Sequence, residues 1–214
     1  MEGPGLLSLW AKPIKEPQYC NMMRKLLLPL LLLSIPLLLP AQCKYAIDEV
    51  DPFDSTRLVM SQPLSVGNYI PSLFETTKGP KIIDEAKMVF SHSESDQDSI
   101  NSFFLTIVAP EYNYHPIEAG KNVLLAFADS TVIALQNFPD RGTFNSDTNM
   151  RMYQHTCIVP LDIFYRMTYS EVVAIRIRYD NKKRTILLSK AQQKALKAAV
   201  QCVGEAVGFM PNKP

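Results

Sequence analysis

The stretch NVLLAFADSTVIALQN, which runs from Asn122 to Asn137, decides the fold that the sequence predicts. Two apolar runs flank Asp129-Ser130, a pair of residues that favours a tight turn. Apolar runs joined in this way are typical of a β-hairpin. Because both faces of each run are apolar, we expect this hairpin to lie in the middle of the structure.

More strands are predicted on both sides of the hairpin. In EVVAIRIRY, Ile175 and Ile177 alternate with Arg176 and Arg178, which indicates a strand with one buried and one solvated face. DNKK then favours a turn, and RTILL returns the chain as the second strand of a hairpin. Glycines and prolines in 66–85 predict a long loop there. The remaining predicted strands are 43–51, 55–64, 86–92, 100–109 and 150–160.

A helix is predicted over 190–207. Ser189 and Gln192 match a capping box at its start, and Gly208 stands where a helix commonly stops. The stretch 161–170 is predicted to hold no more than one or two helical turns. The apolar stripe of the terminal helix consists of Leu196, Val200, Val203 and Val207. Together these elements predict a single mainly β domain over 43–214: an antiparallel β-sandwich or partly open barrel with one C-terminal α-helix.

The stretch MMRKLLLPLLLLSIPLLLPAQC, from Met22 to Cys43, predicts an export signal. Its apolar core is 14 residues long, whereas a helix needs about 20 to cross a bilayer. Basic residues before this core and polar sequence after it are typical of a signal peptide. We expect residues 22–42 to be cut off after Gln42, which leaves no stable membrane span; a retained N-terminal anchor is the alternative. Residues 1–21 are expected to be an upstream extension absent from the native protein, because a complete signal follows them.

The remaining cysteines are Cys43, Cys157 and Cys202, and an exported chain meets oxidising conditions. We expect Cys43 to form a disulfide with Cys202, and Cys157, inside the apolar run TCIVPL, to be a buried free thiol. One alternative is that all three are reduced and buried. Another is a lipid anchor on Cys43, although Gln42 is not the small residue that a lipobox requires. The chain is therefore predicted to be exported, as a periplasmic or secreted protein.

Charge excludes some partners of residues 43–214. They carry 18 basic and 19 acidic residues, a net charge of −1. This balance gives no electrostatic reason to expect nucleic acid or an anionic membrane as partner.

Three residues of EYNYHP are the candidate binding residues: Tyr112, Tyr114 and His115. Aromatic side chains on loops often contact partners or sugars, so an unknown protein or glycan is the predicted partner. The alternative is that the tyrosines fold back over the edge of the sheet.

His155 and Cys157 are the candidate residues for chemistry. They stand two apart on a predicted strand, so both point to one face, where a histidine could activate the thiolate. Structural burial is favoured, because no third polar residue stands at a matching spacing to orient the pair. The acidic run HSESDQD, from His92 to Asp98, lacks the glycine and distal glutamate of a calcium loop and predicts a solvated turn, as does the polar cluster in 140–149. No metal, cofactor or catalytic residue is predicted.

The ending Ala-Gln before Cys43 resembles the signals of exported proteins of Bacteroidota. CKYAIDEVDPFDSTRLV, KNVLLAFADSTVIAL, VVAIRIRY and the terminal KAAVQCV are similar to a group of small uncharacterised secreted proteins of those bacteria. The resemblance implies export and a β-rich domain, and it implies no activity. The sequence thus leaves two functions: a non-catalytic binding or structural envelope protein, or a thiol-dependent or hydrolytic enzyme that uses His155 and Cys157.

Overall fold

The computed structural model describes residues 43–95 and 100–210. The predicted signal, 22–42, and the predicted extension, 1–21, lie outside the described residues, and so do Asp96 and Asp98. Two helices are described, α1 (Leu161–Tyr169) and α2 (Lys190–Ala206). The strands are β1 (Tyr45–Val50), β2 (Arg57–Ser61), β3 (Leu64–Thr76), β4 (Gly79–Ser95), β5 (Ile100–Glu111), β6 (Gly120–Phe127), β7 (Val132–Asn137), β8 (Thr143–Asn145), β9 (Met150–Val159), β10 (Val172–Arg178) and β11 (Lys183–Leu187).

All of these strands belong to one antiparallel sheet, so the predicted mainly β fold is confirmed. The strand order is β1-β2-β4-β5-β9-β7-β6-β10-β11, with β3 beside β4 and β8 beside β9. Within the described part of the chain β3 and β11 share no hydrogen-bonded ladder, so the sheet is not closed into a barrel. Arg184 of β11 nevertheless donates to the carbonyl of Glu85 at 2.9 Å, which shows that the sheet curls until its far strands approach each other.

The loop predicted over 66–85 is wrong. This region forms the long hairpin of β3 and β4, with Gly79 at its turn at φ +103°. Its register contains two irregularities, one between Val66 and Tyr69 and one between Pro71 and Glu75. Such bulges accommodate a glycine and a proline within a strand, and this is why turn-forming residues misled the prediction.

The β6–β7 hairpin lies in the interior of the strand order, between β9 and β10, as its two apolar faces predicted. Its inner face contributes Val123, Leu125 and Leu135 to the core, each at most 1% exposed. Its outer face is half-buried, and Val132 at its end is exposed.

The two helices pack against each other and cover the concave side of the sheet. The predicted capping box is confirmed: Ser189 accepts from the backbone N–H of Gln192, whose side chain accepts from the N–H of Ser189. The prediction of one helix was incomplete, because 161–169 forms a full helix, α1. This helix buries Phe164 and Met167, which the sequence places three residues apart on one helical face.

The predicted disulfide between Cys43 and Cys202 is present and closes a sequence separation of 159 residues. Nearby, the hydroxyl of Tyr45 donates to the carbonyl of Cys202 at 3.1 Å, so β1 and α2 are joined by two contacts. Cys157 is free and fully buried, as predicted.

Candidate binding surface

The predicted binding residue Tyr112 follows β5 and lies against the β3–β4 hairpin. Its hydroxyl donates to the carbonyl of Pro71 at 2.8 Å. Pro71 pairs with Ile82 across the hairpin, so Tyr112 stands beside the apolar side chains of that hairpin. Part of its ring remains exposed.

Tyr114 and His115 lie in a different neighbourhood from Tyr112. The guanidinium of Arg151 stands over the ring of Tyr114, 5.3 Å from its centroid. His115 donates its backbone N–H to the hydroxyl of Tyr153 at 2.7 Å and brings Nδ1 within 3.0 Å of Oδ1 of Asn181. The three predicted residues therefore do not converge on one point.

A buried ion cluster supports the start of this loop. Glu111, the last residue of β5, is 1% exposed and accepts from Lys182 at 2.7 Å and from Arg184 at 3.0 Å. Burial would raise the pKa of Glu111, but the hydrogen bonds and charges of Lys182 and Arg184 outweigh burial and lower it below its ordinary value. The cluster fixes the β10–β11 hairpin to the end of β5, so the loop that follows starts from a rigid base.

An open groove of about 350 Å³ lies beside the β3–β4 hairpin on the outer face of the sheet. Tyr69, at 76% exposure, forms one wall. The opposite side is built by outward side chains of β5 and β9, among them Val108 and Met152. Most of the lining is apolar, with Asp84 and Lys87 as its charged members.

Two further open depressions continue from this groove across the sheet. The first, of about 460 Å³, shares Val108 and Met152 with the groove and includes Phe138. The second, of about 400 Å³, shares Pro139 and Asp140 with the first and includes Tyr114. The three depressions are thus contiguous, and we refer to them together as the trough.

Each depression of the trough contains an exposed aromatic ring. Tyr69 stands in the groove, Phe138 in the middle depression and Tyr114 in the last one. Their exposed fractions are 76%, 47% and 55%. Sequence reasoning found Tyr114 but missed the other two. Tyr69 fell in the supposed loop, and nothing in the sequence shows that Phe138 comes near either tyrosine.

The candidate catalytic pair lies inside the core. His155 and Cys157 do point to one face of β9, but both are 0% exposed. Burial raises the pKa of the Cys157 thiol to about 12 and lowers the pKa of His155 to about 4. Both shifts favour the neutral forms, whereas a thiol nucleophile needs a thiolate with a lowered pKa. The Cys157 sulfur lies 3.8 Å from Oδ1 of Asn137, and His155 Nε2 lies 3.1 Å from the hydroxyl of Tyr179. This geometry does not favour the enzyme alternative.

One residue of each cluster has a structural role, and residues 92–95 of the acidic run belong to β4 and not to the predicted turn. His92 is buried against Phe103, with Nε2 2.8 Å from Oδ1 of Asn101. The Asp140 carboxylate accepts from the backbone N–H groups of Gly142 and Gln154, at 3.1 and 2.6 Å. Among the residues that the structure describes, no three His, Cys, Asp or Glu side chains come together as metal ligands.

Comparison with known proteins finds no matching family model, no matching curated protein and no matching solved structure. The described helices, α1 and α2, are both too short or too polar to cross a membrane.

Proposed function

We propose that this chain is an exported, non-catalytic binding protein that holds an extended, uncharged glycan in the trough on the outer face of its sheet. The observation that carries the proposal is the row of exposed rings Tyr69, Phe138 and Tyr114, one in each of three contiguous depressions. Binding of a ligand to the trough would explain why these large apolar side chains are left in solvent.

The shape of the trough favours a chain-like ligand with several similar units. Each ring offers a flat apolar face, and its negative quadrupole attracts the partly positive C–H groups on a face of a pyranose. Polar side chains between the rings, such as Gln154, Thr156 and Thr143, can exchange hydrogen bonds with sugar hydroxyls. An oligosaccharide would thus place successive sugar rings on successive aromatic rings.

The position of the trough disfavours a peptide bound as an additional strand. β5 is paired with β4 on one side and with β9 on the other, so its backbone donors and acceptors are already used. Strand addition needs a free sheet edge. A ligand on this face must be recognised by side chains alone.

Charge in the trough favours a neutral ligand. Asp84, Glu118 and Asp140 are roughly balanced by Lys87 and Arg141. The Asp140 carboxylate is also already bound to backbone N–H groups. A strongly acidic or basic polymer would find no complementary field there.

The Cys43–Cys202 disulfide supports export, because such bonds persist in oxidising compartments. It also weighs against the lipid-anchored alternative. A lipid on Cys43 is attached through the cysteine sulfur, and the disulfide uses that same atom. The resemblance to secreted proteins of Bacteroidota implies the same compartment. An intact mass that begins at Cys43, without acyl chains, is the result that we expect for the exported protein.

The glycan proposal is tested by affinity electrophoresis in gels that contain soluble neutral polysaccharides, such as hydroxyethylcellulose, xyloglucan or glucomannan. We expect at least one of them to retard the protein. Replacing Tyr69, Phe138 or Tyr114 by Ala should weaken binding by about tenfold each, the usual effect of removing an aromatic anchor. Calorimetry with neutral oligosaccharides of increasing length should show affinity rising until the ligand spans the trough.

Tyr169→Ala is the matched control, because Tyr169 is an exposed ring at the end of α1 and lines none of these depressions. The proposal fails if no neutral polymer retards the protein. It also fails if the control weakens retardation as much as the trough variants do, or if a peptide library and not a glycan binds in the trough.

A further inference from the structure

We infer that the protein associates with copies of itself head to tail, through an acidic tip that carries Phe53 on one copy and a basic-rimmed apolar socket on the next. The inference goes beyond the proposed glycan binding and uses none of the residues of the trough. It rests on two surfaces that are complementary in shape and in charge.

Phe53 is the most exposed large apolar side chain of the described residues, at 94%. It stands on the turn between β1 and β2, next to Val50, which is also exposed. Almost the whole ring is uncovered, so it is available to enter an apolar site on a partner.

The turn that carries Phe53 is rigidly built. Asp51 accepts from the backbone N–H of Phe53 at 2.8 Å, and Asp54 accepts from that of Thr56 at 2.8 Å. Two backbone hydrogen bonds close the turn as well: Asp51 donates to Thr56, and Ser55 donates to Asp51. The backbone of such a turn is already ordered, so it loses little conformational entropy when a partner covers the tip.

The tip is acidic. The β1–β2 hairpin carries Asp48, Glu49, Asp51 and Asp54 against a single Arg57, which pairs with Asp48 at 3.1 Å. Phe53 therefore lies within a negative field, and a partner for it needs an apolar site with a positive rim.

The socket is a concavity of about 120 Å³ on the outer face of β6, β7, β10 and β11. Its floor consists of Leu124, Ala126 and Ala174, and Val132 forms a wall. A cavity of about 150 Å³ can hold a benzene molecule, so this space fits most of one phenyl ring. This is the outer face of the central hairpin, which the sequence makes apolar and which is half-buried.

The rim of the socket is basic. Arg176 lines it directly, with Nε held by the hydroxyl of Thr185 at 2.9 Å so that the outer nitrogens of the guanidinium face solvent. Arg178 and Lys183 continue the same outer face. None of the four strands that form this face contains an acidic residue. The groove beside Tyr69 is also apolar, but its two charged residues, Asp84 and Lys87, form an ion pair and offset each other. The positive socket is therefore the better electrostatic match for the acidic tip.

Tip and socket are different surfaces of one chain, so the contact is heterologous and leaves a free tip and a free socket at the ends of every open assembly. The contact is small, so we expect weak association that is strongest at low salt, because the screening length falls from about 10 Å at 0.1 M to about 3 Å at 1 M. Such an assembly would present many troughs in a row.

Sedimentation equilibrium of the exported, disulfide-intact protein at high concentration tests the inference. We expect association at low salt that disappears in high salt. Phe53→Ser removes the ring, Ala126→Tyr fills the socket, and each variant alone should be monomeric. An equimolar mixture of the two should form dimers and nothing larger, because only one functional tip can meet one functional socket. Arg176→Glu should weaken wild-type association by about tenfold or more.

Phe144→Ser is the control, since Phe144 is exposed on β8 and belongs to neither surface. It should associate like the wild type. Circular dichroism shows whether each variant is folded. If Ala126→Tyr is not folded, Arg176→Glu still tests the socket through its rim. A wild type that stays monomeric at low salt, association that survives Phe53→Ser, or a mixture of folded variants that stays monomeric would each overturn the inference.

Discussion

Mild acid should destabilise this protein through His155, which lies fully buried in the core. Burial lowers the pKa of His155 from 6.5 to about 4, with small opposing effects from Asp140 and Glu111 and a small lowering effect from Arg184. The folded protein therefore binds this proton less readily than the unfolded chain does. The stability that His155 contributes is present above pH 6.5 and is lost as the pH falls through the window from 6.5 to about 4.

The size of the effect follows from the shift. A pKa difference of one unit corresponds to about 1.4 kcal/mol, so the whole shift amounts to about 3 kcal/mol. Linkage places about 2 kcal/mol of this loss between about pH 7 and about pH 5. His92, whose pKa burial also lowers, adds a loss of the same sign. The pKa of Glu111 is lowered from 4.5, so the stability that this carboxylate contributes is present above about pH 4.5 and is lost only as the pH falls further, below the window of His155 between about pH 7 and about pH 5.

Urea unfolding followed by circular dichroism from about pH 7.5 to about pH 4.5 measures the loss. His155→Phe should flatten the pH dependence by about 2 kcal/mol, because phenylalanine can keep the ring contact with Tyr153 but binds no proton. Phe144→Ser is the control, since it changes an exposed side chain and removes no ionisable group, and it should leave the slope as in the wild type. If His155→Phe keeps the full acid sensitivity, the reasoning from burial is refuted.

Three further outcomes are expected. Breaking the bond between Cys43 and Cys202, by replacing both with Ser, should cost about 5 kcal/mol from loop entropy at a separation of 159 residues, as a large fall in the urea midpoint; an unchanged midpoint would contradict this. The Cys157 thiol should not react with a thiol reagent in the folded protein and should react once when urea unfolds it, and labelling of the folded state would revive the thiol-enzyme alternative. Gly204→Ala should lower the melting temperature, because a Cβ there would lie 2.6 Å from Cζ of the buried Phe164. The overpacking costs about 1–3 kcal/mol, which exceeds the roughly 1 kcal/mol of helix propensity that alanine gains over glycine.

Features with a strong local cause were predictable from the sequence. The alternation of Ile175 and Ile177 with arginines predicted which face of β10 is buried. The capping box of Ser189 and Gln192 predicted the start of α2. The disulfide was predicted from a proposed export signal and from the position of Cys157 within an apolar run. In each case the residues that determine the feature are neighbours in the sequence or depend on the compartment.

Features that depend on distant contacts were not predictable. The residues of the β3–β4 hairpin favour a loop because Gly67, Pro71 and Gly79 are typical turn residues. The hairpin is held in the sheet by the later part of β4, Lys87 to Ser95, which pairs with β5. The trough brings Tyr69 and Tyr114 onto one face only because the strand order places β4, β5 and β9 side by side. No local sequence pattern indicates which strands pair with each other in the sheet.

The Cys43–Cys202 bond also determines how the domain responds to force. A load applied between the start of β1 and the end of α2 passes directly across the sulfur–sulfur bond, because that bond is the shortest covalent path between them. The strands between the two cysteines carry none of this tension while the bond is intact. The domain can therefore be pulled from both ends and keep its sheet folded. Once the bond is reduced, the same pull would load the pairing of β1 with β2 directly.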